Sequence, residues 1–223
     1  MTEPLRAPII RVDDVAFPRF QAPDLDEMEV FLHVFGLHTS AKTADALYAR
    51  GTDADRHVPV THRGEAAFLG LAFNATREDL DQLAASTGTS VEPLDEPGGG
   101  LVVHLTDPDG RRVDVVAEIE SVEPLDVRGH APLNVGTARP RVGELQRVPL
   151  GPSQVKRFGH AALKTPSLAT LSDWYRNTLG LLVSDQLYLG APEAPVGQFL
   201  RCDRGDRPAD HHTLLIVETG EVR

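Results

Sequence analysis

The sequence predicts an α+β protein built from tandem βαβββ modules, with curved mixed sheets and helices on the outside. Short β-like segments alternate with three segments in which apolar residues recur at helical spacing. The segment that starts at Pro166 also repeats the segment that starts at Pro23, as expected for a duplicated module. These two observations together favour repeated modules over a single irregular domain.

The first module begins with a predicted strand at residues 9–17. A helix then starts after Pro23 and ends at Gly36. The apolar positions that recur along this helix are Leu25, Met28, Phe31, Leu32 and Phe35. Two short strands, near residues 46–49 and 57–61, complete the module.

The second module starts with a predicted strand at residues 66–73 and a helix at residues 76–86. Strands follow near Val91 and at residues 101–105 and 112–116. The two modules form a predicted N-terminal domain at residues 1–120. Residues 121–152 are rich in Pro, Gly, Arg and Val without periodicity, which predicts a linker.

The third module has a predicted strand at residues 156–164 and a helix from Leu168 that stops at Gly180. Aligning Leu25 with Leu168 matches this module to the first. One module alone would leave strand edges in water, so we expect a fourth module beyond Arg223 or from another chain. Residues 153–223 would then be the first half of a C-terminal domain, and exposed edges favour a homo-oligomer.

The charge balance disfavours several classes of partner. Asp and Glu number 33 and Lys and Arg number 22, which gives a formal charge of −11 and disfavours nucleic acid and anionic membranes. No segment is apolar enough for a signal peptide or a membrane span, so the expected location is the cytoplasm. Cys202 is the single cysteine, and a metal would therefore need His, Asp or Glu.

Three histidines lie at or next to the start of predicted strands of the third module. His160 would lie at the start of one strand, where a neutral imidazole suits a first-row metal, or where it is simply hydrogen-bonded at a strand end. His211 and His212 precede another strand, and strand alternation would send their rings to opposite faces. Either histidine could equally lie in solvent on an edge strand.

Several motifs of the third module resemble those of the vicinal oxygen chelate superfamily, and specifically its extradiol ring-cleaving dioxygenase branch. The motifs are Gly159-His160-Ala-Ala-Leu-Lys, Trp174-Tyr175-Arg-Asn-Thr-Leu-Gly-Leu181, Ser184-Asp185, Phe199-Leu-Arg-Cys-Asp203 and Asp210-His-His-Thr-Leu214. The resemblance covers nearly the whole chain. It implies that the C-terminal domain holds a metal in its cup and that the N-terminal domain keeps the fold.

The resemblance also implies roles for the histidines. His160 matches the first ligand of a two-histidine, one-carboxylate site for Fe(II), or alternatively Mn(II), with O2 as co-substrate. His212 matches an acid-base histidine, and His211 is the substitute candidate. The second histidine and the carboxylate would lie in the fourth module, so we expect the chain alone to be inactive.

The same alignment places Phe17 at the position of His160 and His57 at that of His212. Asp114 falls where the carboxylate ligand would lie, and an alternative offset places Asp14 opposite His160. One or two carboxylates make a poor iron site, so the N-terminal domain is predicted to hold no metal.

The sequence thus predicts an extradiol dioxygenase acting on a small catechol-type aromatic diol. Two alternatives have the same fold. One is a metal-free protein that binds or sequesters a small molecule, in which the histidines are incidental. The other is a glyoxalase-type isomerase or lyase, which needs metal ligands but no acid-base histidine at His212.

Overall fold

The computed structural model describes residues 7–129, 132–141, 143, 150–190 and 194–219. The first module contains β1 Asp14–Ala22, α1 Leu25–Phe35, β2 His38–Lys42, β3 Ala46–Arg50 and β4 Val60–Arg63. The second contains β5 Ala67–Asn74, α2 Arg77–Thr87, β6 Glu92–Pro93, β7 Leu101–Thr106 and β8 Arg112–Ala117. The third contains β9 Ala161–Thr165, α3 Leu168–Leu179, β10 Leu182–Tyr188, β11 Pro195–Arg201 and β12 Leu214–Glu218. The predicted α+β class and the βαβββ order are confirmed.

The first two modules share one eight-stranded sheet with the order β2-β3-β4-β1-β5-β8-β7-β6. Each module pairs its first strand in parallel with its last, β1 with β4 and β5 with β8. The modules join where β1 and β5 run antiparallel, with Phe17 opposite Ala72. The equivalent first strands therefore meet at the centre of the sheet.

The third module forms a four-stranded sheet with the order β10-β11-β12-β9. Its parallel pair β9 and β12 has the same register as the pair β1 and β4. Ala162 on β9 lies opposite Leu215 on β12, and Arg19 on β1 likewise lies opposite Val60 on β4. These positions are equivalent when Leu25 is aligned with Leu168. The structure thus repeats the alignment that the sequence predicts.

All three helices end at a glycine in the left-handed conformation, and the glycine of α3 is held closely. Gly180 has a φ of +73°, and a Cβ atom there would lie 2.6 Å from the Ile10 carbonyl oxygen. Gly88 ends α2 with a φ of +72° and has open space around it. The N-terminal segment therefore packs directly on the end of α3.

A continuous apolar core joins the larger sheet to the third module. Phe73 on β5 and Leu80 on α2 belong to the same buried cluster as Leu163 on β9 and Leu171 on α3. Tyr175 on α3 is also buried there, with its ring 6.0 Å from that of Phe73. The two sheets are therefore held together by shared apolar contacts.

One local prediction was wrong. The first strand begins at Asp14, because the amides of Ile9, Ile10 and Val12 instead donate to carbonyls at the end of α3. In α1, Leu25 and Leu32 are buried, but Phe31 and Phe35 are exposed, so the apolar residues do not all face the sheet. The short strand β2 was not predicted.

The described residues between β8 and β9 contain no helix or strand and only an isolated bridge between Val135 and Ala138. Part of this segment runs along the first module, where the Leu125 amide donates to the Thr52 carbonyl over 2.8 Å. The linker and domain boundaries stay a prediction. No helix in the described part of the chain is long and apolar enough to cross a membrane.

Candidate active site

His160 and His212 lie side by side at one end of the smaller sheet. His160 directly precedes β9 and His212 closely precedes β12, and these strands run parallel. The Ala161 amide donates to the Thr213 carbonyl over 3.1 Å and joins the two segments. The centroids of the two imidazole rings are 4.4 Å apart. The structure therefore brings together the two main histidines that the sequence singles out.

His212 lies in a setting that favours its neutral form. Burial lowers the pKa of the half-buried His212 imidazole, and charge on the neighbouring His160 and His211 lowers it further, whereas Asp210 opposes this shift. The Phe199 ring on β11 packs edge-on against His212, with ring centroids 4.9 Å apart. A neutral imidazole can accept a proton from a bound hydroxyl group.

His211 lies beside His212 and does not point away from it. The two Nδ1 atoms are 3.1 Å apart, and the His211 ring also contacts Phe199, with ring centroids 5.5 Å apart. The prediction that the two rings lie on opposite faces was wrong. Strand alternation does not apply here because β12 begins only at Leu214. A hydrogen bond between the two Nδ1 atoms requires that one ring carries a proton on Nδ1 and that the other does not.

A cleft of about 410 Å³ lies between β9 and the larger sheet. His160 borders it together with apolar side chains from both sheets, and Arg111 and Lys164 add positive charge. The residues that line the cleft include His160, Ala162, Phe20, Phe68, Leu71 and Arg111. The cleft thus offers an apolar wall for a flat ring next to an imidazole.

The residues described here supply only part of a metal site. No three His, Cys, Asp or Glu side chains in the described ranges lie close enough together to hold a metal ion. His160 is exposed and could contribute one nitrogen ligand. A two-histidine, one-carboxylate site therefore needs two ligands in addition to it.

The first module contains a counterpart of the histidine pair. Phe17 and His57 occupy the positions of His160 and His212 in the matched registers, and their rings also meet, with centroids 4.9 Å apart. Burial, followed by the charges of Arg19 and Arg56, lowers the pKa of His57 to about 4. In the first module the phenyl ring of Phe17 therefore occupies the position that His160, the potential metal ligand, has in the third module.

A buried ion cluster fills the cup of the first two modules. Arg19 on β1 is fully buried and donates to Asp114 over 2.6 Å and to Glu96 over 2.5 Å. Asp114 also accepts from Arg112 over 2.8 Å and lies 2.7 Å from the His104 Nδ1 atom. Burial would raise the pKa of Asp114, but the hydrogen bond from Arg112 and the charge of Arg19 lower it overall. The carboxylate aligned with a metal ligand is thus engaged by cationic side chains.

The equivalent of Arg19 in the third module is Ala162. The long guanidinium side chain fills the first cup, whereas the small Ala162 side chain lines the cleft beside His160. This difference leaves space next to the candidate metal ligand. In the described residues β9 is also an edge strand, whereas its counterpart β1 pairs with both β4 and β5, so the open space beside β9 reflects this free strand edge as well.

Sequence reasoning missed the contacts that surround the histidines. Phe199 was quoted as part of a motif but was not assigned to the site. Arg157 and Asp210, which form an ion pair at 2.5 Å, were not assigned either. Their opposite charges, each shortly before a candidate histidine, were the available signal.

No protein-family model matches the chain. The chain is similar to a solved Mn(II)-bound glyoxalase from Novosphingobium aromaticivorans, with a TM-score of 0.70 and 24% identity over 94% of this chain and 62% of that one. It is equally similar to homoprotocatechuate 2,3-dioxygenase from Brevibacterium fuscum in complex with 3,4-dihydroxyphenylacetate, with a TM-score of 0.70 and 21% identity over 96% of this chain and 64% of that one. The module order and these neighbours define the fold of the vicinal oxygen chelate superfamily.

Sequence similarity points to one branch of this superfamily. The chain is 32% identical to metapyrocatechase 2 of Cupriavidus necator over 230 residues, which cover 97% of this chain. It spans 64% of the length of that relative. By sequence the chain is thus similar to extradiol dioxygenases, and by fold it is similar to the vicinal oxygen chelate superfamily to which they belong.

Proposed function

We propose that this chain forms part of an extradiol ring-cleaving dioxygenase, which opens a small aromatic diol beside its hydroxyl groups and adds both atoms of O2. The observation that carries the proposal is the His160–His212 pair, whose ring centroids are 4.4 Å apart. The cleft next to His160 has the apolar walls that a flat aromatic ring needs. The names of the relatives support the same reaction class.

His160 is the proposed ligand of Fe(II), or alternatively of Mn(II). Its exposed ring precedes β9 and faces the cleft that Ala162 leaves open. When bound, either metal supplies open positions at which the two diol oxygens and O2 meet. Two further ligands, a histidine and a carboxylate, are expected from the fourth module.

His212 is the proposed acid-base residue. Its ring is held by contacts with His160 and Phe199, and burial lowers its pKa, so the neutral form is available to take a proton. The imidazole would accept the proton of a diol hydroxyl group and later return a proton to the oxygenated ring. His211 is the substitute for this role, because its Nδ1 lies 3.1 Å from that of His212.

The cleft limits the proposed substrate to a small or bicyclic catechol. Phe20 and Phe68 pack with ring centroids 5.8 Å apart at one wall, and Arg111 borders the opening. A role in the breakdown of aromatic compounds, a cytoplasmic location and a homo-oligomeric state belong to the same proposal. The formal charge of −11 fits a small-molecule substrate better than a polyanionic partner.

A glyoxalase-type isomerase or lyase is the second candidate, because the Mn(II)-bound glyoxalase from Novosphingobium aromaticivorans has the same fold. This reaction would use the metal but would not need His212. A metal-free binding protein of the same fold would need neither histidine. The two candidates therefore differ from the dioxygenase at defined residues.

The test replaces His212 by Asn in a form of the protein that contains the proposed second histidine and carboxylate ligands. We expect kcat for O2 uptake with catechols to fall by about 100-fold or more with the metal content unchanged, because general acid-base catalysis is lost. The companion variant is His211→Asn, and a larger loss of kcat there than in His212→Asn would assign the acid-base role to His211 instead. Full activity of His212→Asn would contradict the acid-base role, and a protein without bound metal would favour the binding protein.

A further inference from the structure

The two histidines lie just beyond the last hydrogen bond between their strands. The register of β9 and β12 starts with Ala161 opposite Leu214, and the final bond at this end joins Ala161 to Thr213. His160 and His212 precede these residues. Backbone pairing of the sheet therefore does not by itself fix the distance between the two rings.

Arg157 links the two chain segments that carry the histidines. It lies in the segment before His160, and its Nη2 atom donates to the Asp210 carboxylate over 2.5 Å, shortly before His212. Its Nη1 atom donates to the Phe158 carbonyl over 3.3 Å and contacts the Asp14 carboxylate at 3.5 Å. One planar guanidinium group thus connects the His160 segment, the His212 segment and the start of β1.

Other ion pairs hold the same loop, but to a different part of the chain. Arg11 binds Asp203 at 2.8 Å, and Arg207 binds Asp13 at 3.0 Å. Both pairs tie the loop to the N-terminal segment. Among the ion pairs of the described residues, the Arg157–Asp210 pair is the one that joins the two histidine segments to each other.

The exposure of this pair argues against a role in overall stability. The Arg157 and Asp210 side chains are 41% and 46% exposed, and exposed ion pairs contribute little to folding. A pair of this kind can still select one local arrangement of two short segments. The position of this ion pair beside the histidines therefore indicates a local role, although the pair contributes little to the free energy of unfolding.

We propose that Arg157 is a positioning residue that holds the His211–His212 segment against His160 by binding Asp210. The inference rests on the proposed function for its significance, because a ligand and an acid-base residue must keep a fixed separation to act on one substrate. The geometry itself does not depend on which reaction follows.

The test measures the contact between the imidazole rings of His160 and His212 by NMR, as the nuclear Overhauser effect between their ring protons, in the chain of 223 residues. We expect this signal to be lost in Arg157→Met and in Asp210→Asn. The double variant should lose no more than either single variant, because both remove one interaction. The control is Arg207→Met, which removes an ion pair of the same loop and should keep the signal.

Circular dichroism and thermal unfolding separate a local change from loss of the fold. We expect both to remain close to those of the unchanged chain, since the pair is exposed. Asp210→Asn keeps the size of the side chain and tests the inference even if Arg157→Met fails to fold. Persistence of the ring contact in a folded Arg157→Met or Asp210→Asn variant overturns the positioning role.

The outcome is distinguishable from failure of the proposed function. Loss of the ring contact supports the role of Arg157 whether or not the complete protein cleaves catechols. In the complete protein, a dioxygenase that keeps full activity in Arg157→Met would also contradict the inference, although the reaction class would stand.

Discussion

At the scale of single residues, His57 is the buried counterpart of His212 and shows how burial affects the pKa of an imidazole. Its ring is 2% exposed, lies between Phe17 and Tyr48, and makes no hydrogen bond to the described residues. The nearest carboxylate oxygen belongs to Glu96, 3.8 Å from the Nε2 atom. Burial and the charge of Arg19 therefore keep the imidazole neutral.

We predict that this histidine makes the protein less stable as the pH falls. The pKa of His57 is lowered from 6.5 to about 4 in the folded chain, so the unfolded chain binds more protons between these values. The free energy of unfolding should thus fall as the pH drops from about 6.5 to about 4, by roughly 3 kcal/mol for this group. Urea unfolding across this window measures it.

The contribution of His57 is isolated by comparison with His57→Phe, since carboxylates also titrate on the acid side of this window. The variant should show a smaller loss of unfolding free energy than the unchanged chain. Equal slopes in the unchanged chain and His57→Phe would contradict the prediction.

At the scale of elements, Gly180 and Gly88 provide a matched pair of helix ends. Both have nearly the same positive φ, but only Gly180 is in close contact with the N-terminal segment. We predict that Gly88→Ala lowers the free energy of unfolding by about 1–2 kcal/mol, the cost of a Cβ atom in this conformation. Gly180→Ala should lower it by about 1–3 kcal/mol more, because the Ile10 carbonyl must move.

Chemical denaturation of the two variants measures this difference directly. An equal loss of unfolding free energy in both variants would show that the segment around Ile10 can move away from the added Cβ atom without a loss of stability. A larger loss in Gly180→Ala would locate part of the stability of the third module in its contact with the N-terminal segment.

The elements that the sequence predicted correctly are those with a clear local signal. The helices were found because apolar spacing and terminal glycines coincide, as at Gly36 and Gly180. The start of β1 was missed because Ile9 and Ile10 are apolar and strand-like but bond to α3, which is remote in sequence. The exposure of Phe31 was missed because spacing alone does not show which apolar residues face a sheet.

At the scale of the whole molecule, the repeat made the candidate site predictable. The alignment of the first and third modules placed His57 and His212 at equivalent positions, and the strand registers agree with it. The relation of Arg157 to Asp210 was not predictable, because it depends on how two distant segments meet. The filling of the first cup by Arg19 likewise requires the spatial neighbours of Asp114.

We predict that the chain of 223 residues alone does not cleave catechols. On the proposed function His160 provides one ligand of a three-ligand set, and a single imidazole binds Fe(II) or Mn(II) weakly. The measurement is O2 uptake with catechol and added metal, and circular dichroism serves to verify that the chain is folded. A longer form of the protein that supplies the proposed second histidine and carboxylate is the positive control, and turnover by the chain alone would contradict the prediction.

The duplicated ring contact, Phe17 with His57 and His160 with His212, places equivalent histidines under different selection. Mutation of His57 should reduce the amount of protein in a cell, because its ring is buried in the first module. Mutation of His160 or His212 should leave abundance nearly unchanged and, on the proposed function, reduce turnover. Substitutions of the histidine in the first module are then limited by their effect on the amount of folded protein. Substitutions of the histidines in the third module are limited by their effect on turnover.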